Sequence, residues 1–514
     1  KDTVSRYLLS ALAVALAGAP ALAADKPNIV LIFTDDHAYQ AISAYGDLRK
    51  LLDTPNIDRL AKEGVRFDRA LVPNSICGPS RATILTGKYS HLNGVLDNAL
   101  TFDGSQQTFP KLMRNAGYQT ALYGKWHLKS DPTGFDSWEV LPGQGSYYNP
   151  DFLTPQGRKR REGYTTDITV DLSLDWLKNG RDRNRPFLLM CQQKAPHRNW
   201  MPGPDHLTRY EDVKIPEPPN LFDDYRNRAT PAAKNLMEID RHMTLSGDLK
   251  LHPLPDPPPD AKAFLGEYQR MSVSQRRMWD AVYKHRTEEF LRTKPTGKDL
   301  VRWKYQAYMK DYLRCIASVD DNVGRMLRYL DSDGLAEDTI VVYSSDQGFY
   351  LGEHGWFDKR WIYEESMRTP LLARWPGVTR PGSKCDLMVS NLDFGETFLD
   401  AAGAPVPGDM QGRSFAPLLR GESPADWRKS FYYHYYEERV HGVARHYGVR
   451  TARYTLAHYY GPNEWELFDR QKDPRQMRNV YGRGEYAGAQ RELKAELARL
   501  RKELKVPEKD PDRN

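Results

Sequence analysis

The sequence predicts an α/β fold, a mostly parallel sheet sandwiched by helices, followed by a smaller C-terminal α+β subdomain. Three features carry that expectation. NIVLIFT (28–34), PFLLMCQQKAPH (186–197) and TIVVYS (339–344) are continuous apolar, β-branched runs of the kind that form strands buried on both faces. Helical patterns at 56–63, 109–116, 167–177 and 303–330 separate them, and such alternation favours a parallel sheet covered on both sides. After about residue 401 the composition turns to Tyr- and His-rich strand-like segments, FYYHYYEE and HYGVRTARYTLAHYY, ahead of a charged helix over 484–504.

Read from the start, residues 1–24 have the three parts of a secretory signal peptide: basic Lys1 and Arg6, an apolar run from Tyr7, and the small-residue motif Ala21-Leu22-Ala23. The run is too short to span a bilayer, and Gly18 and Pro20 break it. No later stretch is long or apolar enough to cross a membrane, so the expected location is secreted or periplasmic. A chain of 514 residues exceeds what one simple core serves, which predicts a large α/β domain over 25–400 and the subdomain over 401–514. Within the larger unit, about 216–297 is charged and Pro-rich, with PLPDPPPD at its centre, and reads as an irregular surface insertion. A net charge of +6, with Lys and Arg interspersed among Asp and Glu, is weak support for an anionic substrate and none for nucleic acid. Four cysteines, at 77, 191, 315 and 385, are too few and too scattered for a disulfide framework, and pairing among Cys191, Cys315 and Cys385 stays open.

The ends of the strands carry reactive side chains. The first run stops at Asp35-Asp36 and the third at Ser345-Asp346-Gln347-Gly348, while the second leaves Lys194 and His197 on the loop after it. Ligand sites in open α/β sheets lie beyond the carboxyl ends of the strands, so the three endings are expected to converge. Between the first two runs, Cys77-Gly78-Pro79-Ser80-Arg81 leads into a helix, with Pro79 suited to its first turn and Gly87 to its stop. Cys77 is thereby expected just before a helix N-terminus, where unpaired N–H groups favour an anion. Taken alone, a lone Cys is more often buried filler than a nucleophile.

C-x-P-S-R followed by Thr86-Gly87-Lys88 resembles the maturation signature of the type I sulfatases. Other motifs similar to that family follow its order: Asp35-Asp36, Gly124-Lys125-Trp126-His127, Lys194 and His197 in KAPH, Asp346-Gln347 in SDQG, and Lys359 in EHGWFDKR. The resemblance extends through YYHYYE and RHYGVR and covers essentially the whole chain after residue 24. It implies an alkaline-phosphatase-like fold, a sulfated carbohydrate as substrate, and oxidation of Cys77 to formylglycine by a formylglycine-generating maturation enzyme. In the family the hydrated aldehyde attacks sulfur; by resemblance Cys77 takes that role, and Arg81 holds the hydrate and the metal.

The remaining roles follow from chemistry. Asp35, Asp36, Asp346 and the Gln347 carbonyl are hard oxygen donors suited to Ca2+, with Cys77 beside them as a further ligand. Lys125, Lys194 and Lys359 would spread positive charge around the sulfate oxygens. His197 would protonate the departing sugar oxygen, and His127 would deprotonate the second hydroxyl of the hydrate. Each residue also has a structural reading: Asp35 and Asp36 as helix caps, Asp346 as a turn residue, His127 and His197 as packing, Lys359 as a solvated charge.

Two other readings of the whole chain stand beside this one. A phosphatase or phosphodiesterase of the same superfamily commonly binds two zinc ions through several His ligands, whereas Gln347 occupies such a position here. A sugar-binding protein without catalysis is the other. Within the sulfatase reading, SDQGFYLGEHGWFDKR, KAPHRNWMP and RHYGVR look like the bacterial enzymes that remove 6-O-sulfate from N-acetylglucosamine in glycosaminoglycans or mucin glycans, with galactose 6-sulfate and N-sulfoglucosamine as alternatives. Asp358 and Arg360, flanking Lys359, would bond ring hydroxyls, and His446 from the C-terminal unit would close over the sugar; an ordinary Asp358–Arg360 ion pair is the bland alternative.

Overall fold

The apolar runs form the middle of a ten-stranded sheet. The computed structural model describes residues 26–511 except Pro257 and Arg439, so the expected signal peptide lies outside the described residues. In chain order the strands are β1 (Asn28–Thr34), β2 (Val65–Phe67), β3 (Gln119–Lys125), β4 (Ser137–Leu141), β5 (Asp151–Thr154), β6 (Gly157–Arg160), β7 (Phe187–Gln192), β8 (Thr339–Ser345), β9 (Leu371–Arg374) and β10 (Ser383–Cys385). Across the sheet they run β10-β2-β9-β8-β1-β7-β3-β4-β5-β6. The five from β8 to β4 are parallel to one another, while β9 pairs antiparallel with β8 and β2, β5 with β4, and β6 with β5.

Successive side chains of a strand face opposite ways, and β1 uses both faces. Val30 and Ile32 join the core that holds Leu189, Val341 and Tyr343, whereas Ile29, Leu31 and Phe33 join the one that holds Leu188, Met190 and Val342. The covering helices are α1 (Pro55–Glu63), α2 (Cys77–Thr86), α3 (Phe109–Asn115), α4 (Thr165–Asp175), α5 (Ala261–Arg270), α6 (Val273–Thr293), α7 (Gly297–Ser332), α8 (Phe394–Ala401) and α9 (Ala487–Glu503). Residues of α1, α4 and α7 pack in the first core, and residues of α2, α3 and α8 in the second. This is the predicted sandwich, with α7 starting earlier than its apolar pattern suggests.

The insertion departs from its expected irregularity, because it contains α5 and the 21-residue α6. Ser272 and Gln275 form a capping box at the start of α6. Lys250, Tyr283 and Arg286 from the insertion all bond the buried carboxylate of Asp311 at 2.8 Å, tying the segment to α7. The four cysteines are all unpaired. Strands β11 (Ser430–Tyr435), β12 (His446–Thr451), β13 (Tyr454–Tyr459) and β14 (Glu464–Asp469) make a separate antiparallel sheet on which α9 packs. Among the described residues, no helix is long and apolar enough to cross a membrane.

Candidate active site

Four strand ends and one helix build the site. β1 and β8 pair with Thr34 beside Ser345, so the acids after each strand meet. Asp35, Asp36 and Asp346 are fully buried, and each offers an oxygen within 4.8 Å of the others. Asp36 has φ 68°, a left-handed conformation costly for a residue other than glycine. The Tyr312 hydroxyl of α7 holds it there, donating to the Asp36 carbonyl at 2.7 Å and accepting the Ala38 N–H at 2.8 Å. Gln347 Nε2 donates to Asp36 Oδ1 at 2.5 Å, which leaves the buried Gln347 Oε1 without a protein partner.

Buried carbonyl oxygens are rarely left unpaired, and this one stands beside three converging carboxylates. The donor set is all oxygen and fits a hard divalent cation. Burial pushes the Asp36 carboxyl up to about 6; Lys359 opposes it, and Asp346 and Asp358 add to it. A bound dication would relieve that crowding of negative charge.

Cys77 opens α2 and is fully buried. Its Sγ donates to Asp35 Oδ1 at 3.3 Å and accepts from Lys359 Nζ at 3.5 Å. Burial pushes the thiol up to about 12, against the pull of Lys359. The anion-binding helix end expected here is largely consumed within the protein. Gly78 N–H donates to Asn98 Oδ1 at 2.8 Å, Pro79 has no N–H, and Ser80 N–H donates to the Ile76 carbonyl at 3.0 Å. Side chains therefore supply the positive charge.

The Ser and Arg of the C-x-P-S-R motif fasten α2 to the strand ends. Ser80 Oγ donates to the Asp346 carbonyl. Arg81 donates to the Lys125 carbonyl at 2.8 Å, to Gln192 Oε1 at 2.6 Å and to Asp346 Oδ2 at 3.1 Å. Lys125 ends β3 after Gly124, where a Cβ would lie 1.9 Å from the Gln192 carbonyl, so only glycine fits. Lys125 Nζ pairs with Asp35 Oδ2 and donates to Gln144 Oε1 at 2.5 Å. Lys194 Nζ donates to the Gln144 carbonyl at 3.1 Å and lies 4.6 Å from the centre of the Tyr147 ring. Lys359 Nζ bonds both oxygens of Asp36, at 2.6 and 2.7 Å. Burial holds Lys125 and Lys194 below the usual ammonium range. Burial also works against Lys359, but Asp36 and Cys77 hold it above that range.

The histidines complete the ring. His197 Nδ1 bonds the Arg198 carbonyl at 2.5 Å, which assigns the proton there and turns Nε2 toward Asp36 Oδ2, 3.8 Å away. His127 adopts φ 55°, and its buried Nδ1 has no protein partner. Burial and then Lys125 press both imidazoles toward the neutral form.

The sulfatase family model matches residues 27–404, most of the chain. This chain belongs to the sulfatase family. It is a sulfuric ester hydrolase, and a second family model, described as the C-terminal part of N-sulphoglucosamine sulphohydrolase, matches residues 352–503. The sulfatase is 50% identical to an N-acetylglucosamine-6-O-sulfatase of Bacteroides thetaiotaomicron, over 95% of this chain and 88% of the relative. It is 29% identical to human N-acetylglucosamine-6-sulfatase over 80% of this chain and 68% of the relative. A solved structure of an enzyme in complex with its substrate D-glucosamine-2-N,6-O-disulfate superposes with a TM-score of 0.91 at 48% identity, covering 95% of this chain and 100% of that one.

Around the sulfatase centre, Asp358 and Arg360 flank Lys359 with φ of 78° and 95°. Arg360 Nε lies 3.5 Å from Asp358 Oδ1, and Arg360 Nη1 donates to Glu437 Oε2 at 2.8 Å. His446 requires a correction. It is fully buried, its Nε2 accepts the Ile362 N–H at 3.1 Å, and its Nδ1 bonds the Ala444 carbonyl at 2.8 Å. With Tyr433 and Tyr459 rings at 5.5 and 5.2 Å, it is part of the aromatic core and has no free nitrogen for a sugar. His441, five positions earlier, stands instead with Nε2 3.2 Å from Asp358 Oδ2 and its side chain 18% exposed. Sequence reasoning also missed Gln144, Gln192 and Tyr312, which sit outside the recognised motifs. The PGQG turn before Tyr147 and the polar end of β7 were the available signals for the first two.

Proposed function

We propose that this sulfatase removes the 6-O-sulfate of N-acetylglucosamine residues in glycosaminoglycan or mucin glycans, with Cys77 converted to formylglycine and one calcium ion held by Asp35, Asp36, Asp346 and Gln347. The observation that carries the reading is the convergence of three acids, two lysines and Cys77 Sγ at one sheet edge, in a chain half identical to an N-acetylglucosamine-6-O-sulfatase.

Calcium would supply a Lewis acid for a sulfate oxygen. Formylglycine would supply a nucleophile whose second hydroxyl allows release without a separate water attack. The chain's own residues do the rest. Lys125, Lys194 and Lys359 surround the ester oxygens and stabilise the charge that grows on them. Arg81, fixed by three bonds, orients the group at position 77. His197 delivers a proton from Nε2 to the leaving sugar oxygen, and an anionic ester in the pocket offsets the lysines that press this imidazole toward neutrality. His127 takes the proton that frees sulfate. Asp358, Arg360 and His441 grip the sugar.

Cys77 is fully buried in the folded chain, beyond the reach of a second protein, so a maturation enzyme would have to act on it before folding is complete. Export directed by residues 1–24, with a catalytic unit over 25–400 and a C-terminal unit over 401–514, belongs to the same proposal. The similarity of residues 352–503 to the C-terminal part of N-sulphoglucosamine sulphohydrolase favours N-sulfoglucosamine as a second reading. Rates on N-acetylglucosamine 6-sulfate, galactose 6-sulfate and N-sulfoglucosamine separate these, and preference for either of the last two overturns the 6-O-N-acetylglucosamine assignment. Elemental analysis of active enzyme should find calcium; stoichiometric zinc in its place would refute the metal assignment.

A further inference from the structure

The loop between β11 and β12 brings His441 to Asp358, and charge holds its stem. Glu437 accepts from Arg360, and across the neck Arg445 Nε lies 3.3 Å from Glu438 Oε2. The other end of the Arg445 guanidinium meets the segment after α9, where Nη1 donates to Asp510 Oδ2 at 3.1 Å. Tyr460 OH donates to the same oxygen at 2.7 Å, and His434 Nε2 lies 3.5 Å from Asp510 Oδ1. The segment after α9 is led there by Arg501, whose carbonyl accepts the Val506 N–H at 2.8 Å and whose Nη2 donates to the Pro507 carbonyl at 3.1 Å. Residues that follow a terminal helix are commonly loose unless something ties them down. Here a carboxylate only 22% exposed gathers groups from β11, from the end of β13 and from the loop neck.

We propose that Asp510 is a positioning residue for substrate binding: it braces Arg445, closes the neck of the loop and keeps His441 against Asp358. This rests on the reading of His441 and Asp358 as sugar contacts. Without the Asp510 carboxylate, Arg445 keeps Glu438 and the face of the Tyr460 ring, 5.3 Å away, but loses its tie to the segment after α9, the neck loosens, and part of the population carries His441 away from Asp358. Apparent affinity then falls by the fraction that remains competent, while the reacting centre at the sheet edge is untouched. The signature is a raised KM for a sugar sulfate with kcat preserved.

The test uses full-length enzyme with the preferred sugar sulfate and with nitrophenyl sulfate, which has no ring hydroxyls. Asp510→Asn is expected to raise the sugar KM about three- to tenfold, the loss that corresponds to a competent fraction of roughly a third to a tenth. Its kcat should stay within about twofold, with nitrophenyl sulfate kinetics unchanged. Asp510→Glu should recover most of the loss, and Tyr460→Phe should fall between. If Asp510→Asn leaves the sugar KM unchanged while His441→Ala raises it, the brace is wrong and the sugar contact stands. If His441→Ala has no effect, the contact fails and the brace with it. Equal losses on both substrates would mean a general structural role and overturn the proposal. Should Asp510→Asn not fold, Arg445→Gln and Tyr460→Phe are read by the same criteria.

Discussion

Removing one hydroxyl from α7 tests how the metal-site acids are held. In Tyr312→Phe the Asp36 carbonyl and the Ala38 N–H, bonded at 2.7 and 2.8 Å to that hydroxyl, both lose their partner in a fully buried setting. A buried backbone group left unpaired costs about 1–3 kcal/mol, so the pair costs about 2–6 kcal/mol. Relaxation of Asp36 from φ 68° would return about 1–3 kcal/mol of strain. With low and high ends matched, the net loss of stability is about 1–3 kcal/mol, read as a lower urea midpoint. Because the relaxed backbone turns Asp36 away from Asp35 and Asp346, the proposed calcium site predicts a rise of about 10–100-fold in the calcium concentration for half-maximal activity, the usual effect of losing a partner behind a metal ligand. A destabilised variant with unchanged calcium dependence would reduce Tyr312 to a packing residue. An unchanged urea midpoint would refute the account of Asp36 altogether.

Three further outcomes are expected. Tryptic mass spectra of native enzyme should show an aldehyde in place of the Cys77 thiol, and Cys77→Ala should fold but not turn over; an active preparation carrying only the thiol would sink the mechanism. His197→Ala should slow alkyl sulfates by about 10²–10⁴-fold while barely affecting nitrophenyl sulfate, whose leaving group needs no proton, and equal losses would remove His197 as the acid. Burial and then Asp393 push Glu396 up to about 8, with Oε1 accepting the Gly412 N–H and Oε2 unpartnered. The folded chain keeps this proton after the unfolded chain has released it, so the stability it contributes is full below the unfolded pKa near 4.5 and falls as pH rises toward 8. Glu396→Gln should flatten the decline in urea midpoint between those pH values, and an unaltered pH profile would contradict it.

The parts of the molecule that were legible in the sequence share a cause. β1, β7 and β8 are buried on both faces, so their apolar runs are unbroken, and the polar residues at their ends stand out where ligands sit in such sheets. Helix α6 was illegible for the opposite reason. It buries only Trp279, Tyr283, Arg286 and Thr287, a stripe too narrow to show through a run of charged residues. The confusion of His446 with His441 came from strand register. His446 pairs with Tyr435 at the start of β12 and faces the aromatic layer, whereas His441 precedes the strand on its loop. Sequence pattern says that both are near the same strand, but not which side each takes. Tyr312 and Gln144 act through backbone atoms and through Lys125, and such partners have no motif because they depend on where distant segments come to lie.

Backbone strain at the site divides along the same line as its chemistry. Asp36, His127, Asp358 and Arg360 have φ of 68°, 55°, 78° and 95°, none of them glycine. At about 1–3 kcal/mol each, four such residues cost roughly 4–12 kcal/mol, comparable to the net stability of a domain, so the surroundings must over-determine every one. The bonds that hold Asp36 come from α7, within the sandwich. Those on Arg360 come from the C-terminal sheet and the loop after β11: Tyr433 OH donates to its carbonyl at 2.6 Å, and Glu437 takes its guanidinium. The backbones of Asp36 and of Arg360 are thus braced from different structural units. Lys359 links the two, because it lies between Asp358 and Arg360 while its Nζ bonds both oxygens of Asp36 and Cys77 Sγ, so a substitution in the C-terminal sheet that re-aims Arg360 is expected to reach the acids through it. Sulfate cleavage and the proposed sugar recognition are in this way joined through one residue, Lys359.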